Sequence, residues 1–308
     1  DLAVKLPDLP EGDAALLRTA AVMLFLVFAI KGALVPLHFW LPSTYANAPG
    51  VTAALFAIMT KVGAYATLRF ASLVFPPDLP ATGLILPTFL LPAALLALGL
   101  GAIGTLGAAT LPRLAAFAGI ASTGTVFLAL AQLRPIATAA ALFYLVPPAL
   151  ATALIFLVAD LLSRRRAHLS LDAAASVAQP GPTGALYFAA AVALAGLPPL
   201  SGFPGKLMIL DAWRDQAAVI WPAVLVSSFL MLLGLSRAGS LLFWKPGPAP
   251  APAAPHEPLA LAAAFALLAA LAALTVFAGP VTGWLMTTAD ALSDPTAYIA
   301  ANRLGAAP

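Results

Sequence analysis

Long apolar segments separated by short loops run through almost the whole sequence. They cover residues 16–35, 51–75, 82–104, 114–131, 136–162, 186–210, 217–243 and 259–286. Each is close to, or longer than, the roughly 20 residues that a helix needs to cross a bilayer. Because backbone polar groups find no partner in lipid, membrane-spanning segments are helices or strands of closed barrels. We therefore predict an all-α, polytopic membrane protein with about eight transmembrane helices.

The composition supports a membrane protein and argues against nucleic-acid binding, metal sites and cofactors. Hydrophobic residues make up 62% of the chain and charged residues 9%, against roughly 25% charged residues in soluble domains. A formal charge of +3 is too small to indicate a nucleic-acid partner. The chain has no cysteine, and its histidines, His38, His168 and His256, are far apart, so we expect no metal and no cofactor.

The loops predict how the chain is arranged across the bilayer. Three consecutive arginines at 164–166 form the densest basic cluster, and basic loops stay cytoplasmic. The polar stretch 1–15 is then an extracytoplasmic loop, and the Pro/Ala-rich stretch 246–258 is a cytoplasmic loop to which we assign no chemistry. Because residue 1 already lies inside a loop, we expect a C-terminal portion of a longer protein.

Three lysines fall near the middle of apolar segments: Lys31, Lys61 and Lys206. A lysine at the centre of a span costs about 2.5–3.5 kcal/mol on insertion scales. Such a lysine either snorkels to the interface or faces a hydrated interior path, where it can switch between its protonated and neutral forms. We favour the hydrated path, most strongly for Lys61.

Prolines interrupt the two segments that contain Lys31 and Lys206. Residues 16–45 as one helix would be about 45 Å long, too long for a hydrocarbon core of about 30 Å. We predict that both segments are broken, as in the ion pathways of many transporters; the alternative is a kink used only for packing. The helix-breaking residues are Pro36, Pro198, Pro199 and Pro204.

Hydroxyl and imidazole groups are further candidates for a proton path. Ser122, Thr123 and Thr125 either hydrate a channel or bond back to their own helix. His38 is either a relay group near Lys31 or an interfacial residue. No Asp or Glu lies in the middle of a span, since Asp160 and Asp211 are at span ends. We therefore expect the carboxylate that pairs with a lysine to lie upstream or on another subunit.

A glycine motif within residues 99–104, GLGAIG, matches the dinucleotide-binding pattern G-x-G-x-x-G. It lies inside an apolar segment, no strand precedes it, and no acidic residue follows at about 20 residues. We interpret these glycines as small residues that allow helices to pack closely.

Several stretches resemble one known family. They are KGALVPLHFWLPSTYANAPGVTAALFAIMTKVGAYATLRF (31–70), LPRLAAFAGIASTGTVFLAL (111–130) and AGLPPLSGFPGK (195–206). They resemble the antiporter-like membrane subunits shared by respiratory complex I and the Mrp-type cation/proton antiporters. SRAGSLLFW (236–244) and DPTAYIAA (294–301) look most like the Mrp-type branch.

The resemblance implies a fold of about fourteen transmembrane helices in two inverted repeats, of which this chain holds the last eight. Residues 16–104 would hold the end of the first repeat and the start of the second. Residues 105–245 would continue the second repeat with its broken helix, and 259–308 would form the last helix and tail. The resemblance also implies a multi-pass protein of the bacterial inner membrane that needs its upstream half and other antiporter subunits as partners.

The resemblance further implies a function. The chain would be the proton-translocating subunit of a monovalent cation/proton antiporter, with Lys61 as central carrier. Lys31 would be a gate that responds to an upstream glutamate, and Lys206 would deliver the proton to the far side. Two alternatives are a proton-pumping subunit of a redox-driven complex and a scaffold whose lysines only pair with partners.

One stretch departs from the family pattern. Many members of the family carry a histidine, and complex I members often a lysine as well, in the helix that reads FYLVPPALATALIFL (143–157) here. This chain has Pro147 and Pro148 and no ionisable group of that kind there. Either the relay runs through water and the hydroxyls of Thr152, Ser122 and Thr125, or this half does not conduct in the family's way.

Overall fold

A computed structural model describes residues 6, 13–83, 85–166, 168–172, 180–245 and 257–302. Most of the predicted loop 1–15 and of the predicted loop 246–258 lies outside these residues, as does His256. The described residues are helical; apart from one antiparallel bridge between Thr110 and Ser170 they contain no strand.

The helices follow one another with short connections. In chain order they are α1 Ala14–Lys31, α2 Trp40–Asn47, α3 Gly50–Phe56, α4 Met59–Leu73, α5 Ile85–Gly107, α6 Leu111–Leu130, α7 Pro135–Ser163, α8 Pro180–Ala195, α9 Gly202–Ala212, α10 Ala217–Gly239, α11 Pro258–Val276, α12 Ala278–Ser293 and α13 Thr296–Ala301. A π-helical turn, Ser240–Trp244, continues α10.

The prediction of a polytopic helical membrane protein is confirmed. Within the described residues, seven helical stretches are long and apolar enough to cross a bilayer: Ala14–Lys31, Gly50–Leu73, Ile85–Gly107, Leu111–Leu130, Pro135–Ser163, Arg214–Trp244 and Pro258–Val276. The predicted segment 186–210 instead forms two shorter helices, α8 with 16 residues and α9 with 11. At 1.5 Å per residue neither is long enough to cross a core of about 30 Å alone.

Both predicted helix breaks are present. Helix α1 ends at Lys31, and the chain turns through residues 32–39, which include a cis Val35–Pro36 bond, before α2 begins. Helix α8 ends at Ala195, and residues 196–201, with a cis Pro198–Pro199 bond, lead into α9. Pro204 differs from its predicted role, because it lies in the first turn of α9. A helix tolerates proline there, since its first N–H groups have no intrahelical acceptor.

Two other predicted spans are interrupted as well. Segment 259–286 divides into two helices, because α11 ends at Val276 and α12 begins at Ala278. Pro280 has no N–H to donate to the carbonyl of Val276, which explains the interruption. Segment 51–75 divides into α3 and α4 around residues 57–58, and the Tyr45 hydroxyl donates to the carbonyl of Phe56 over 2.6 Å.

Helix α6 lies at the centre of the bundle, and nearly all of its side chains are buried. Close packing against α5 depends on glycine, as the glycine-rich segment predicted. A Cβ atom added at Gly101 would overlap the backbone of Ala121. A Cβ atom added at Gly124 would stand 2.6 Å from the backbone nitrogen of Leu98. Neither glycine can be enlarged unless the helices move apart.

An ionic cluster ties the end of α7 to the start of α11. Glu257, whose side chain is 7% exposed, pairs with Arg164 over 3.0 Å and with Arg165 over 3.4 Å. Arg164 also pairs with Asp160 over 2.9 Å. Part of the basic cluster at 164–166 thus connects two helices that are distant in sequence.

Helix α1 buries little of its surface within the chain. Ala21 is its only buried residue, and large apolar side chains along it are exposed, among them Val22, Met23, Leu26 and Val27. This apolar surface is suited to lipid or to further helices.

The packing of α5 on α6 generates a prediction. Replacing Gly124 by Ala puts a methyl group against backbone atoms of α5 that cannot rotate away, and overpacking of this kind costs about 1–3 kcal/mol. We expect a lower midpoint of thermal unfolding in detergent for Gly124→Ala. The matched control is Gly99→Ala on α5, because an added Cβ meets nothing within 4 Å there. Equal midpoints for the two variants would contradict this account of the packing.

Candidate functional site

Lys61 is buried between α4 and α6, and its side chain is held by two hydroxyl groups. The residue is 5% exposed. Its Nζ donates to Ser122 Oγ over 2.7 Å and to Thr123 Oγ1 over 2.8 Å. Lys61 is the third residue of α4, just after the break that separates α4 from α3. The structure therefore places the predicted central lysine in the bundle interior rather than at a helix end facing solvent.

The two hydroxyl groups that accept from Lys61 also bond back to their own helix. Ser122 Oγ donates to the carbonyl of Gly119 over 2.8 Å, and Thr123 Oγ1 donates to the same carbonyl over 2.9 Å. With their protons directed to Gly119, the hydroxyls present only lone pairs to Lys61. Hydrogen bonds that involve a charged group contribute about 1.5–3 kcal/mol, which offsets much of the cost of burying the lysine.

The other predicted hydroxyls lie near this pair without touching Lys61. Thr125 Oγ1 donates to the carbonyl of Ala121 over 3.0 Å. Thr152 on α7 faces Gly119: its Cγ2 would be 3.8 Å from a Cβ placed there. The Thr152 hydroxyl is buried and has no hydrogen-bond partner among the residues that the structure describes.

Lys206 occupies a second buried position, beside the break between α8 and α9. It is 6% exposed, and its Nζ donates to the carbonyl of Ala195 over 2.7 Å and to Ser228 Oγ over 2.7 Å. Ala195 is the last residue of α8, where unpaired carbonyls carry the negative end of the helix dipole. Ser228 in turn donates to the carbonyl of Val224 over 2.7 Å. Lys206 thus also meets two acceptors.

Glycine makes room for the Lys206 side chain. Gly196 has a φ of +76°, a conformation that favours glycine. A Cβ at this position would stand 2.8 Å from Cε and 3.0 Å from Nζ of Lys206. A cavity of about 260 Å³ adjoins the site, and Lys206 and Ser228 line it together with mainly apolar side chains.

Within the described residues, neither buried lysine forms an ion pair with Asp or Glu. Their partners are neutral hydroxyl and carbonyl oxygens. The described residues also contain no group of three or more His, Cys, Asp or Glu side chains that could hold a metal ion. The chemistry that this arrangement supports is the binding and release of protons by two shielded amines.

The structure places Lys31 and His38 differently from the other predicted residues. Lys31 is exposed at the end of α1. Helix α1 nevertheless contacts α4 next to the Lys61 site, because a Cβ at Gly63 would stand 2.6 Å from the nitrogen of Gly32. His38 is half-buried, and its Nδ1 has no hydrogen-bond partner in the described part of the chain.

Ser228 and the Ala195 carbonyl are acceptors for Lys206 that the sequence pattern did not single out. A serine pair, Ser227–Ser228, in the middle of a largely apolar helix was the signal for the hydroxyl. Backbone carbonyls leave no trace in the side-chain pattern. The prolines after Ala195 predicted a break in the helix, but not the carbonyl that accepts from Lys206.

Known proteins with similar sequences are antiporter subunits. The chain is 32% identical to a Na(+)/H(+) antiporter subunit of Bacillus subtilis (strain 168), over 98% of this chain and 61% of that protein. It is 30% identical to a probable K(+)/H(+) antiporter subunit of Rhizobium meliloti (strain 1021), over 97% of this chain and 61% of that protein. The chain thus spans about three fifths of the length of these curated relatives.

Solved structures show the same fold. A chain of the Mrp complex from Dietzia sp. DQ12-45-1b matches with a TM-score of 0.79 and 27% identity, over 92% of this chain and 61% of that one. A chain of respiratory complex I from Thermus thermophilus with bound NADH matches with a TM-score of 0.80 and 28% identity, over 92% of this chain and 60% of that one.

The family described as "NADH:quinone oxidoreductase/Mrp antiporter, TM" matches residues 12–234. That range includes both buried lysines, both broken helices and the whole of α6. The bacterial relatives of the chain and its apolar helices identify it as part of a multi-pass bacterial membrane protein. The chain therefore belongs to the transmembrane subunit family shared by NADH:quinone oxidoreductase and the Mrp antiporters.

Proposed function

We propose that this chain is the proton-translocating part of a monovalent cation/proton antiporter subunit. The observation that carries the proposal is the pair of buried lysines, each held by two neutral oxygen atoms. A buried lysine without a fixed countercharge costs several kcal/mol, and such groups mark proton relays in membrane transporters. The scaffold alternative offers no reason to keep two amines at that cost inside one chain.

Lys61 acts as the central carrier. Its ammonium group exchanges protons with the hydroxyls of Ser122 and Thr123, which lie within hydrogen-bonding distance. A proton can move only when one of these hydroxyls turns away from Gly119 and offers a new donor–acceptor arrangement. Thr152, whose Cγ2 faces Gly119, and Thr125 on α6 are further buried hydroxyl residues, and a relay through them runs by way of water.

Lys206 delivers the proton to the far side of the membrane. Its ammonium lies at the carboxyl end of α8, where the helix break frees a carbonyl group. The adjoining cavity of about 260 Å³ exceeds the roughly 30 Å³ occupied by a water molecule. We place the exit of the proton beside Lys206 and Ser228, the two polar side chains that line this cavity.

Lys31 connects this chain to the rest of the protein. It is exposed at the end of α1, on a helix whose apolar surface is largely uncovered. We place the upstream half of the protein against this surface, with a glutamate that pairs with Lys31. His38, after the break, is the second polar group at this end. Other subunits of the complex complete the assembly, and the chain itself is a transporter component rather than an enzyme.

A redox-driven pump is the second candidate function. The complex I chain matches this fold about as well as the Mrp chain does, with TM-scores of 0.80 and 0.79. A protein of that kind would use the same lysines but take its energy from electron transfer in partner subunits. The relatives whose sequences are similar along nearly the whole chain carry names of antiporter subunits, which favours exchange.

Replacing Lys61 by Ala tests the central assignment. We expect proton-coupled cation exchange to fall by more than about 100-fold, the scale of a lost proton-transfer group. The assay uses inverted vesicles that carry the complete complex, an imposed proton gradient and no respiratory substrate; Na⁺ or K⁺ is added and lumen alkalinisation is followed. Lys245→Ala is the matched control, because Lys245 is exposed at the end of the π-helical turn.

Undiminished exchange in the Lys61→Ala complex would refute the role of Lys61. If the unmutated complex shows no exchange and moves protons only after an electron donor is added, the redox-driven function replaces the antiporter function. The lysine variants can then be measured in the same vesicles under electron-donor conditions.

Adjacent serines on α10 test the Lys206 site. Both Ser227 and Ser228 donate to the carbonyl of Val224, but only Ser228 accepts from Lys206. We expect Ser228→Ala to slow exchange about tenfold or more, because a hydrogen bond to a charged group contributes about 1.5–3 kcal/mol. Ser227→Ala should stay near the native rate in the same assay. Similar rates for both variants would show that the hydroxyl contact does not support transport.

A further inference from the structure

Arg69 is a half-buried cation on α4 that the proposed transport scheme does not use. It lies four residues before Leu73, the last residue of α4, which is about 6 Å at 1.5 Å per residue. Because the stretch Gly50–Leu73 is long enough to cross a bilayer, its end lies at the level of the lipid headgroups. Arg69 is therefore placed at headgroup depth.

The guanidinium of Arg69 contacts an aromatic ring but makes no ion pair with the residues that the structure describes. Its central carbon lies 5.1 Å from the centroid of the Tyr298 ring on α13. An aromatic face attracts a cation, yet it does not use up the five N–H donors of an arginine. The contact thus fixes the charge in place and leaves its donors available.

A cavity of about 170 Å³ adjoins the guanidinium, between the end of α4 and the helices α12 and α13. Its polar lining comes from Arg69, Ser72, Thr288 and Tyr298, and apolar side chains complete it. The cavity is several times larger than the roughly 30 Å³ that a water molecule occupies, so it has room for a small polar group. Arg69 is the charged residue in its lining, which favours an anion.

Three carboxylates lie at the same end of the bundle without neutralising Arg69. Asp78, Asp290 and Asp294 do not line this cavity, and none of them pairs with Arg69. The Asp294 carboxylate accepts from the backbone N–H and the hydroxyl of Thr296 over 3.2 and 2.7 Å. The positive charge of Arg69 is consequently left for a ligand.

Exposed aromatic side chains lie one helical turn from the cavity, on the membrane side. Tyr65 precedes Arg69 by four residues and is 48% exposed, and Trp284 precedes Thr288 by four residues and is 67% exposed. Residues four apart share one face of a helix, and Tyr and Trp are typical of the boundary between headgroups and acyl chains. A cation with an apolar surface beneath it matches a phospholipid, which has its phosphate above its acyl chains.

The face of α4 that carries Arg69 differs from the face that meets α1. Gly63 packs against Gly32, and the Phe70 ring lies 5.1 Å from the Phe28 ring. At 3.6 residues per turn, Arg69 points about 100° away from Phe70 around the helix axis. The upstream half, which we place against α1, therefore leaves the Arg69 face to another ligand.

We propose that the cavity between α4, α12 and α13 binds the phosphate group of an anionic phospholipid. Arg69 donates to the phosphate oxygens, for which a guanidinium has a matching fork of N–H groups. Tyr298 holds the guanidinium in position, and the acyl chains pass along Tyr65 and Trp284. The site takes no part in proton transfer, so it stands or fails independently of the proposed function.

The test captures the lipid that occupies this site. A photocrosslinking benzoylphenylalanine replaces Tyr65 in the complete complex, which is reconstituted with equal amounts of phosphatidylglycerol and phosphatidylcholine. After irradiation, mass spectrometry gives the ratio of the two lipids attached at position 65. We expect phosphatidylglycerol to exceed phosphatidylcholine about tenfold, since it gains a hydrogen-bonded charge pair. Equal capture of the two lipids would overturn the proposal.

Variants assign the preference to Arg69. Arg69→Gln should bring the ratio of captured lipids close to one. Arg134→Gln is the matched control and should keep the native ratio, because Arg134 is exposed and already pairs with Asp215 over 3.2 Å. The same ratio in the Arg69→Gln and unmodified complexes would refute the role of Arg69.

Tyr298 provides a second pair of variants on the short helix α13, away from the core of the bundle. Tyr298→Leu removes the ring, and we expect the ratio of captured lipids to fall about two- to fivefold, the scale of an exposed cation–π contact. Tyr298→Phe keeps the ring and should keep the ratio. A native ratio in Tyr298→Leu as well as in Arg69→Gln leaves no basis for the site.

Two further outcomes would name a different occupant and overturn the lipid assignment. If inorganic phosphate abolishes the preference while chloride at the same ionic strength does not, the site binds the free anion. If position 65 crosslinks to another subunit instead of to lipid, a protein surface covers the cavity. Retention of the preference in phosphate, with lipid as the captured species, supports the phospholipid site.

Discussion

Every polar group at membrane depth has to find a partner inside the protein, and this constraint explains most of the architecture. Breaking a helix frees backbone carbonyls that lipid cannot satisfy. Side chains meet this need at the breaks: the Trp40 indole donates to Ile30, the Tyr45 hydroxyl donates to Phe56, and the Lys206 ammonium donates to Ala195. At the Lys206 site, one hydrogen bond gives the carbonyl of Ala195 a donor and gives the buried ammonium an acceptor. The broken helix and the lysine are therefore a single structural unit.

Hydropathy and proline placement predicted a large part of this fold from sequence. Apolar length located the spans, and Pro36 and Pro198–Pro199 marked the two breaks beside lysines. Proline alone was an unreliable guide, however, because α7 continues through Pro147–Pro148, whereas the helix before Pro280 ends. The difference at 196–201 is the adjacent Gly196 at φ +76°. A sequence shows which residues weaken a helix, but tertiary packing decides whether it continues.

The sequence singled out both buried lysines and the hydroxyls of Ser122 and Thr123, but it did not pair these hydroxyls with Lys61 and it missed the acceptors of Lys206. A lysine in an apolar segment is conspicuous because it is costly, whereas its acceptors are ordinary serines, threonines and carbonyls. Ser122 lies 61 residues from Lys61 and Ser228 lies 22 residues from Lys206. No periodicity within one helix relates such pairs, since they depend on how α4 meets α6 and how α9 meets α10. Lys31 was conspicuous for the same reason, and it is exposed at the end of α1.

The shared carbonyl of Gly119 has a consequence for how fast the Lys61 site can work. Ser122 and Thr123 both donate to this one oxygen. If one hydroxyl swivels toward a departing proton, the other still satisfies the carbonyl, so the swivel leaves no orphaned backbone group. The two side chains can therefore turn one at a time. Each turn gives up a single neutral hydrogen bond, which contributes about 0.5–1.5 kcal/mol. If only Ser122 carried a hydroxyl, the carbonyl of Gly119 would lose its single side-chain donor at every turn.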